Sequence, residues 1–404
     1  MIKTDEYPIV FNRVKCYIEH RCANDTPMFF VEVIQLQKIT GWAKKNTVVL
    51  IALLAALASM LLVPPDAQYA GYFDVKTLCC LFGTLAVVCA LKNIHFFAIL
   101  ARRIMMLTGD TRVAAIVLIY ITFIGSMIIA NDMALITFLP LGYYVFSTTG
   151  RKKDVATVFI LQNIAANLGG MLTPFGNPQN LYLYTRFNIP TGEFMSIMLL
   201  PFIVAIVLVT ACCFLVERQS LHIQEQGKER LPVWRTVLYI ALFLLTILMV
   251  FRVLQPGAVI AVVVAVLLVV DRKALKKVDY GLLFTFVFFF VFAGNMGRLD
   301  AVREFFSGLL DKSTLLTSVL SCQLISNVPS AILLSQFTDQ YASLLVGVNI
   351  GGAGTLIASL ASLITFREYA AHYKENVKEY LLRFTWMNFG FLFVLTVFAL
   401  LQGR

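Results

Sequence analysis

Charge is what this sequence is short of. Of 404 residues, 14% are Asp, Glu, Lys or Arg and 59% are hydrophobic, whereas a soluble domain carries about a quarter charged. An ordinary water-soluble fold is excluded. Histidine is scarcer still. All four, His20, His95, His222 and His372, fall outside the apolar runs, which excludes a histidine-ligated metal site or a histidine proton relay across a bilayer. The cysteines form no disulfide framework: Cys79, Cys80, Cys89, Cys212, Cys213 and Cys322 sit in apolar segments as small hydrophobes, and Cys16 and Cys22 fall in a polar tail expected to be reduced. No Gly-x-x-x-x-Gly-Lys-Ser/Thr loop occurs, so the chain alone is not an ATP pump, although it leaves a separate ATPase partner open. No Ser/His/Asp set, His-Glu-x-x-His motif or carboxylate pair lies at membrane depth. The chain therefore reads as no enzyme and as needing no cofactor beyond a coupling ion. No cleavable signal peptide is visible.

What is present is long and apolar, with a mean hydropathy of +0.81. Runs able to span ~30 Å of hydrocarbon lie at 47–63, 75–91, 155–185, 194–216, 233–254, 257–270, 280–298, 341–366 and 380–401. The net charge of +10 invites a nucleic-acid reading, which its distribution excludes. Lys and Arg cluster in short loops, at Lys44-Lys45, Arg102-Arg103, Arg151-Lys152-Lys153, Lys228 with Arg230, and Arg272-Lys273 with Lys276-Lys277. The alternate loops, such as Val63 to Asp74 and Gln255-Pro256-Gly257, carry few or none. This positive-inside pattern places the N-terminus in the cytoplasm and the C-terminus outside, in a multi-pass protein of a bacterial cytoplasmic membrane. The expected organisation is a cytoplasmic tail over 1–46, with an interfacial helix from Phe29 to Lys45, a first half over 47–216, a polar linker over 217–232, and a second half over 233–404.

The two halves repeat each other. Ala166-Asn167-Leu168-Gly169-Gly170-Met171-Leu172-Thr173 returns as Val348-Asn349-Ile350-Gly351-Gly352-Ala353-Gly354-Thr355. Each copy follows an apolar hairpin, at about 113–147 with Asn131-Asp132 at its tip, and at about 313–338 with Ser326-Asn327-Val328-Pro329 at its tip. Both flanks of the first are basic, so it enters and returns on the cytoplasmic side. Arms of 9–13 residues in the second reach only about 14–20 Å and cannot span. Five crossings lie between the hairpins, so they open on opposite faces. The expected fold is an all-α integral membrane protein with an inverted-topology repeat, two re-entrant hairpins and two broken transmembrane helices, at 155–185 and 341–366.

The breaks carry the expected chemistry. Pro174 and Gly176 cannot continue a helix, and Asn177 before Pro178 reads as an N-cap and first helical residue. The half-helix that follows offers free N–H groups and a positive dipole end to an anion. The one before it offers unpaired carbonyls to a cation such as Na⁺. In the second copy Ser359 is the expected cap and no proline intervenes, so that break should be gentler. Asp132 is the one acid deep in an apolar run; it either faces a polar cavity, coordinating a cation or holding a proton, or merely caps the arm from Met133. Asn131 and Asn327 should line the site. Gln162, Asn163, Asn295 and Gln323 read as either site or interhelical hydrogen bonds and are left out of it.

At these residues the chain resembles the ion transporter superfamily of arsenite permeases, broken-helix sodium/proton antiporters, citrate carriers and divalent-anion:sodium symporters, within it a branch of bacterial inner-membrane permeases. The matching motifs are Leu172-Thr173-Pro174-Phe175-Gly176-Asn177-Pro178-Gln179-Asn180 and both hairpin tips. The resemblance implies a homodimeric scaffold and a mobile transport domain moving as an elevator. It implies one cation site from Asn131 and Asn167 to Gly170 (with Gly169), and its symmetry mate from Asn327 and Asn349 to Gly352 (with Gly351). Substrate would lie among Asn131, Asp132, Thr173, Pro174, Gly176, Asn177, Asn180, Ser326, Asn327, Thr355 and Ser359. Dicarboxylate symporters of the superfamily carry Ser-Asn-Thr at both tips; here the tips read Ala-Asn-Asp and Ser-Asn-Val, which argues against a di- or tricarboxylate and for proton coupling. The expected function is a secondary active transporter of a small inorganic or organic anion or oxyanion, coupled to Na⁺ or H⁺ by alternating access. A cation/proton antiporter using Asp132 is the alternative, and a channel fits less well.

Overall fold

A computed structural model describes residues 47–147, 152–221 and 230–404. The expected tail with its interfacial helix, Cys16, Cys22 and His20, together with His222 and part of the linker, lies outside the described residues. Two units divide the chain. Met1–Ala52 is described only as the first turns of one helix, and Leu53–Arg404 is a single compact unit.

The described elements are helical, and among the described residues no strand forms beyond one isolated bridge between Asp110 and Ser220. The first half runs α1 (Thr47–Leu62), α2 (Val75–Asn93), α3 (Phe96–Met105), α4 (Thr111–Ile129), α5 (Asn131–Ser147), α6 (Lys152–Gly169), α7 (Pro178–Arg186) and α8 (Thr191–Cys213). The second runs α9 (Val233–Val250), α10 (Pro256–Val270), α11 (Arg272–Lys276), α12 (Tyr280–Met296), α13 (Asp300–Lys312), α14 (Thr314–Ile325), α15 (Asn327–Leu334), α16 (Tyr341–Ile350), α17 (Leu360–His372) and α18 (Val377–Leu401). Short side chains at the entries explain many of the starts. Asp74, Asp110, Asp271, Asp279 and Ser313 each accept a backbone N–H from the first turn of α2, α4, α11, α12 and α14, filling donors that a helix end leaves open.

Six helices among the described residues are long and apolar enough to cross a membrane, or seven if α12 and α13 are one bent span. The expected run 280–298 is one helix to Met296, after which the chain turns by 98° into α13. One element order occurs in both halves, a short helix (α3, α13), then a two-armed hairpin (α4–α5, α14–α15), then an interrupted helix (α6/α7, α16/α17), then a long helix (α8, α18). The hairpins differ in size. Arms α14 and α15, of 12 and 8 residues, reach only about 18 and 12 Å. Arms α4 and α5, of 19 and 17 residues, reach about 28 and 25 Å, so length alone would let α4 cross.

Packing between the halves is reciprocal. The second arm of each hairpin packs on the second half-helix of the other half, α5 on α17 and α15 on α7. The half-helices interlock the same way, α6 with α17 and α16 with α7. This reciprocity brings the two Asn-x-Gly-Gly segments together.

Candidate functional site

Both expected breaks are present. Helix α6 stops at Gly169, one 3₁₀ turn covers Gly170–Leu172, and Thr173 is extended before α7 starts at Pro178. Gly170 and Gly176 allow the turn to close: a methyl on either would collide with the other's carbonyl or with Asn177, so only glycine fits there. In the second half α16 stops at Ile350 and nothing helical follows until Leu360. The second break is therefore no gentler than the first. A proline is not needed, because Gly354 at φ 119° lies where an L side chain is strained and the helix cannot continue.

The hairpin tips have one geometry. Ala130 (φ 66°, ψ 151°) and Ser326 (φ 76°, ψ 159°) turn the chain in the same rarely occupied backbone region. The asparagine that follows folds its own Oδ1 back to accept the next backbone N–H, from Asp132 and from Val328, each at 2.9 Å. Helix α5 thus begins at Asn131, two residues before the expected Met133. Each tip then rests on a helix break. Asn131 Nδ2 donates to Asn167 Oδ1 at 3.1 Å, and the backbone N–H of Asn327 donates to Ala358 at 2.9 Å. A methyl placed on Gly352 would lie 3.2 Å from Asn327 Nδ2 and 3.8 Å from Asn167 Oδ1, so the second tip and the amide that holds the first tip meet at one spot. Gly169 and Gly351 lie directly against the first arms, at Phe123 with Ser126 and at Cys322.

The breaks also reach across to each other. Asn177, ten residues after Asn167, takes the extended backbone of an N-cap but makes no cap bond. Its Nδ2 donates instead to the carbonyl of Asn167 at 3.1 Å and to Oδ1 of Asn349 in the other half at 3.2 Å. Ser359, ten residues after Asn349, caps α17 as expected through Ala361 N–H, and its Oγ donates to Asn167 Oδ1 at 2.7 Å. Asn349 Nδ2 donates to Asn180 Oδ1 at 2.6 Å. Asn131, Asn167, Asn177, Asn180, Asn349 and Ser359 are all at most 4% exposed.

The threonines behave differently from the expectation. Thr173 donates to the carbonyl of Met127 at 2.9 Å and Thr355 to that of Gln323 at 3.2 Å. Met127 and Gln323 each stand four residues before their tip asparagine, so each threonine ties its break to its own first arm. Pro174 is buried in the turn, and Ser326 Oγ donates to Ala358 at 3.3 Å. The expectation of unpaired carbonyls is corrected. Asn180 Nδ2 covers the carbonyls of Gly170, Met171 and Thr173 at 3.0–3.3 Å, and Gln323 Nε2 covers those of Gly351 and Ala353 at 2.8 and 3.1 Å. An uncovered buried carbonyl costs about as much as a lost hydrogen bond, and these amides remove that cost while leaving each oxygen a second lone pair.

Residues left out of the expected site belong to the network. Gln323 staples the second break, Gln179 Nε2 reaches Asn349 at 3.4 Å, and Asn163 links Asn167, Ser362 and Asn388, each at 3.4 Å. The signal available was the four-residue spacing of Asn163 from Asn167, which puts that pair on one face of α6. Gln162 and Asn295 make interhelical bonds, to Thr122 and to Ser59 with Tyr69. Three buried acceptors near the breaks have no hydrogen-bond partner among the described residues: Asp132 Oδ1, Asn177 Oδ1 and Gln179 Oε1. No group of three His, Cys, Asp or Glu that could hold a metal ion occurs among the described residues.

The comparisons with known proteins agree on the class. The sequence profile of a family described as "Citrate transporter" matches residues 38–343. An uncharacterised transporter of Methanocaldococcus jannaschii, MJ0456, is 32% identical over 293 residues, covering 72% of this chain and 80% of the relative. An inner membrane protein of Escherichia coli, YbiR, is 29% identical over 305 residues, covering 73% of this chain and 80% of the relative.

Proposed function

We propose, from the premise that this chain belongs to the citrate transporter family, that it is a secondary carrier moving a small anion or oxyanion across a bacterial cytoplasmic membrane by alternating access. The observation that carries the reading is the reciprocal amide bridge, in which Asn177 reaches Asn349 while Ser359 reaches Asn167, with both hairpin tips resting on the same breaks. A site built equally from two halves, one hairpin opening to each side, is accessible from either compartment by a small rearrangement. The N-termini of α7 and α17 supply two positive dipole ends to an anion. The side-chain oxygens of Asn131, Asn167, Asn327 and Asn349, with the second lone pairs of the break carbonyls, suit Na⁺. On this reading the halves are related as an inverted repeat, the hairpins are re-entrant, the N-terminus is cytoplasmic, and the protein works as a homodimer with an elevator-like stroke.

Coupling is assigned to a proton on Asp132. The halves differ here, because Val328 stands in the position equivalent to Asp132, and a buried carboxylate oxygen without a partner is a place where a proton relieves a desolvated charge. The same observation supports a second reading, cation/proton antiport without an anion.

Uptake into proteoliposomes tests both. Citrate, succinate, phosphate, sulfate and arsenite are offered under an imposed H⁺ or Na⁺ gradient. One anion should accumulate, and Asn131→Ala and Asn327→Ala should each abolish its uptake while the protein still inserts. Retained uptake in both variants rejects the site. Asp132→Asn should leave gradient-free exchange of the anion intact and remove its pH dependence; an unchanged pH profile rejects proton coupling. A Na⁺ pulse that collapses a preset pH gradient with no anion present selects the antiport reading.

A further inference from the structure

Two cavities among the described residues lie away from the hairpin tips. The first, about 360 Å³ and open on one side, is lined by Tyr72, Asp74 and Lys76 around the start of α2, by Phe290 on α12, and by Tyr182 and Arg186 on α7. Gln336, just past hairpin arm α15, also borders it. The second, about 240 Å³, shares Lys76 and Thr185 with the first and extends to Arg252 after α9. Both lie at the C-terminal end of α7, on the face where the second hairpin opens. The charge pattern assigns that face to the outside, where Lys and Arg should be scarce.

The charge balance here is positive. Lys76 and Arg186 have no ion pair or hydrogen bond among the described residues. Asp74, the acid in the wall, is committed to capping α2, accepting Thr77 N–H at 3.0 Å and Thr77 Oγ1 at 2.6 Å. Arg298 stands behind Tyr72 but is matched by Asp66 at 2.7 Å. Arg252 holds the carbonyl of Tyr184 and lies 4.1 Å over its ring, which leaves its charge uncancelled. Arg186 ends α7, where a cation suits the helix dipole. Lys76 has no such reason, because it sits in the first turn of α2, where a cation is disfavoured.

We propose that these adjoining cavities form an anion-binding vestibule that gathers a carboxylate or oxyanion between Lys76 and Arg186 before it reaches the hairpin tips. Arg186 supplies a planar fork suited to two oxygens of one anion, and Lys76 adds a point charge across the gap. The first cavity lies at the low end of small-ligand sites, roughly 300–1,000 Å³. Helix α7 joins it to the breaks: its nine residues place Arg186 about 12 Å from Pro178. The wall is tied to the end of the second hairpin arm by Tyr182 and Ser335, hydroxyl to hydroxyl at 2.8 Å. The inference rests on the anion-carrier reading for where the anion goes next, but not for its binding here.

Charge-selective labelling of the full chain in nanodiscs tests it. A thiol introduced by Thr185→Cys is reacted with anionic sulfonatoethyl and with cationic trimethylammonioethyl methanethiosulfonate, each rate divided by that of the reagent with a free thiol in solution and corrected for the parent protein. The anionic reagent should be favoured by roughly tenfold or more at low salt. Combining Lys76→Gln with Arg186→Gln should bring the ratio near one, and millimolar citrate or phosphate should slow the anionic reagent only while both cations are present. Equal rates for both reagents, or a preference that survives the double substitution, overturns the vestibule. Preference in a protein that carries no anion keeps the vestibule and removes the carrier reading. No preference in a protein that accumulates one does the reverse.

Discussion

Ala130 and Ser326 are the residues that shape the hairpin tips, and each sits at positive φ with ψ near 150°, a region that costs a non-glycine residue about 1–3 kcal/mol. Ala130→Gly should relieve that strain and, after the extra chain entropy of glycine, raise stability by about 1 kcal/mol. The check is a higher thermal unfolding midpoint in detergent with uptake retained. Asn349 is the opposite case. Asn349→Ala deprives Asn180 Oδ1 of its donor and Gln179 Nε2 of its acceptor, and buried polar groups left without partners cost about 1–3 kcal/mol each. The midpoint should fall and uptake should be lost; an unchanged midpoint would show that water or an ion replaces the amide. Both tip asparagines were legible in the sequence, because an amide in an apolar turn has few other uses. Gln179 and Asn388 were not, because their partners come from the other half of the chain.

Among the elements, the two second half-helices begin alike in the sequence but are held differently. Ser359 caps α17 and also bridges to Asn167, whereas Asn177 bridges to Asn349 without capping α7. Ser359→Ala should therefore lose a cap, about 1 kcal/mol, on top of the bridge, and Ser359→Thr should restore most of it. Asn177→Ser should weaken the bridge while leaving α7 intact, since Pro178 already sets the first helical φ. Comparing the unfolding midpoints and uptake rates of the three variants separates capping from bridging. The length of the second break was not legible. Without a proline the segment reads as a mild interruption, yet Gly354 and the Gln323 staple hold residues 351–359 out of helix. A side chain on another hairpin arm does not show in local propensity.

For the whole molecule, one question is which end faces which compartment, and the loop charges alone predict it. An impermeant maleimide added to intact cells should label a thiol introduced at Gly403 and should reach one introduced at Lys276 only after permeabilisation. The reverse pattern would invert the molecule and place the Lys76 vestibule in the cytoplasm. The exposed apolar side chains fit a lipid surface, with Leu61 86%, Val269 85%, Trp386 80% and Leu401 82% exposed. Outside the spans, Asp66 is held below its ordinary carboxylate range, chiefly by its hydrogen bond to Arg298. A depressed folded value means that this contact stabilises above the unfolded pKa and weakens as pH falls through the folded one. Asp66→Asn should accordingly flatten any loss of stability below about pH 4.

By itself the sequence determined that the chain is an all-helical membrane protein of two similar halves, with a glycine-broken helix and an amide-tipped hairpin in each. Apolar run length, loop charge and helix-breaking residues are local properties, and they act before any packing occurs. Only the tertiary structure decided that the second arm of each hairpin and the half-helices pack on the other half, that side-chain amides cover the broken carbonyls, and that Lys76 and Arg186 line one cavity. The covering amides act across the breaks within each half. The bridges between halves, such as Asn177 to Asn349 and Ser359 to Asn167, join residues more than one hundred and fifty positions apart and are set by how the halves interlock.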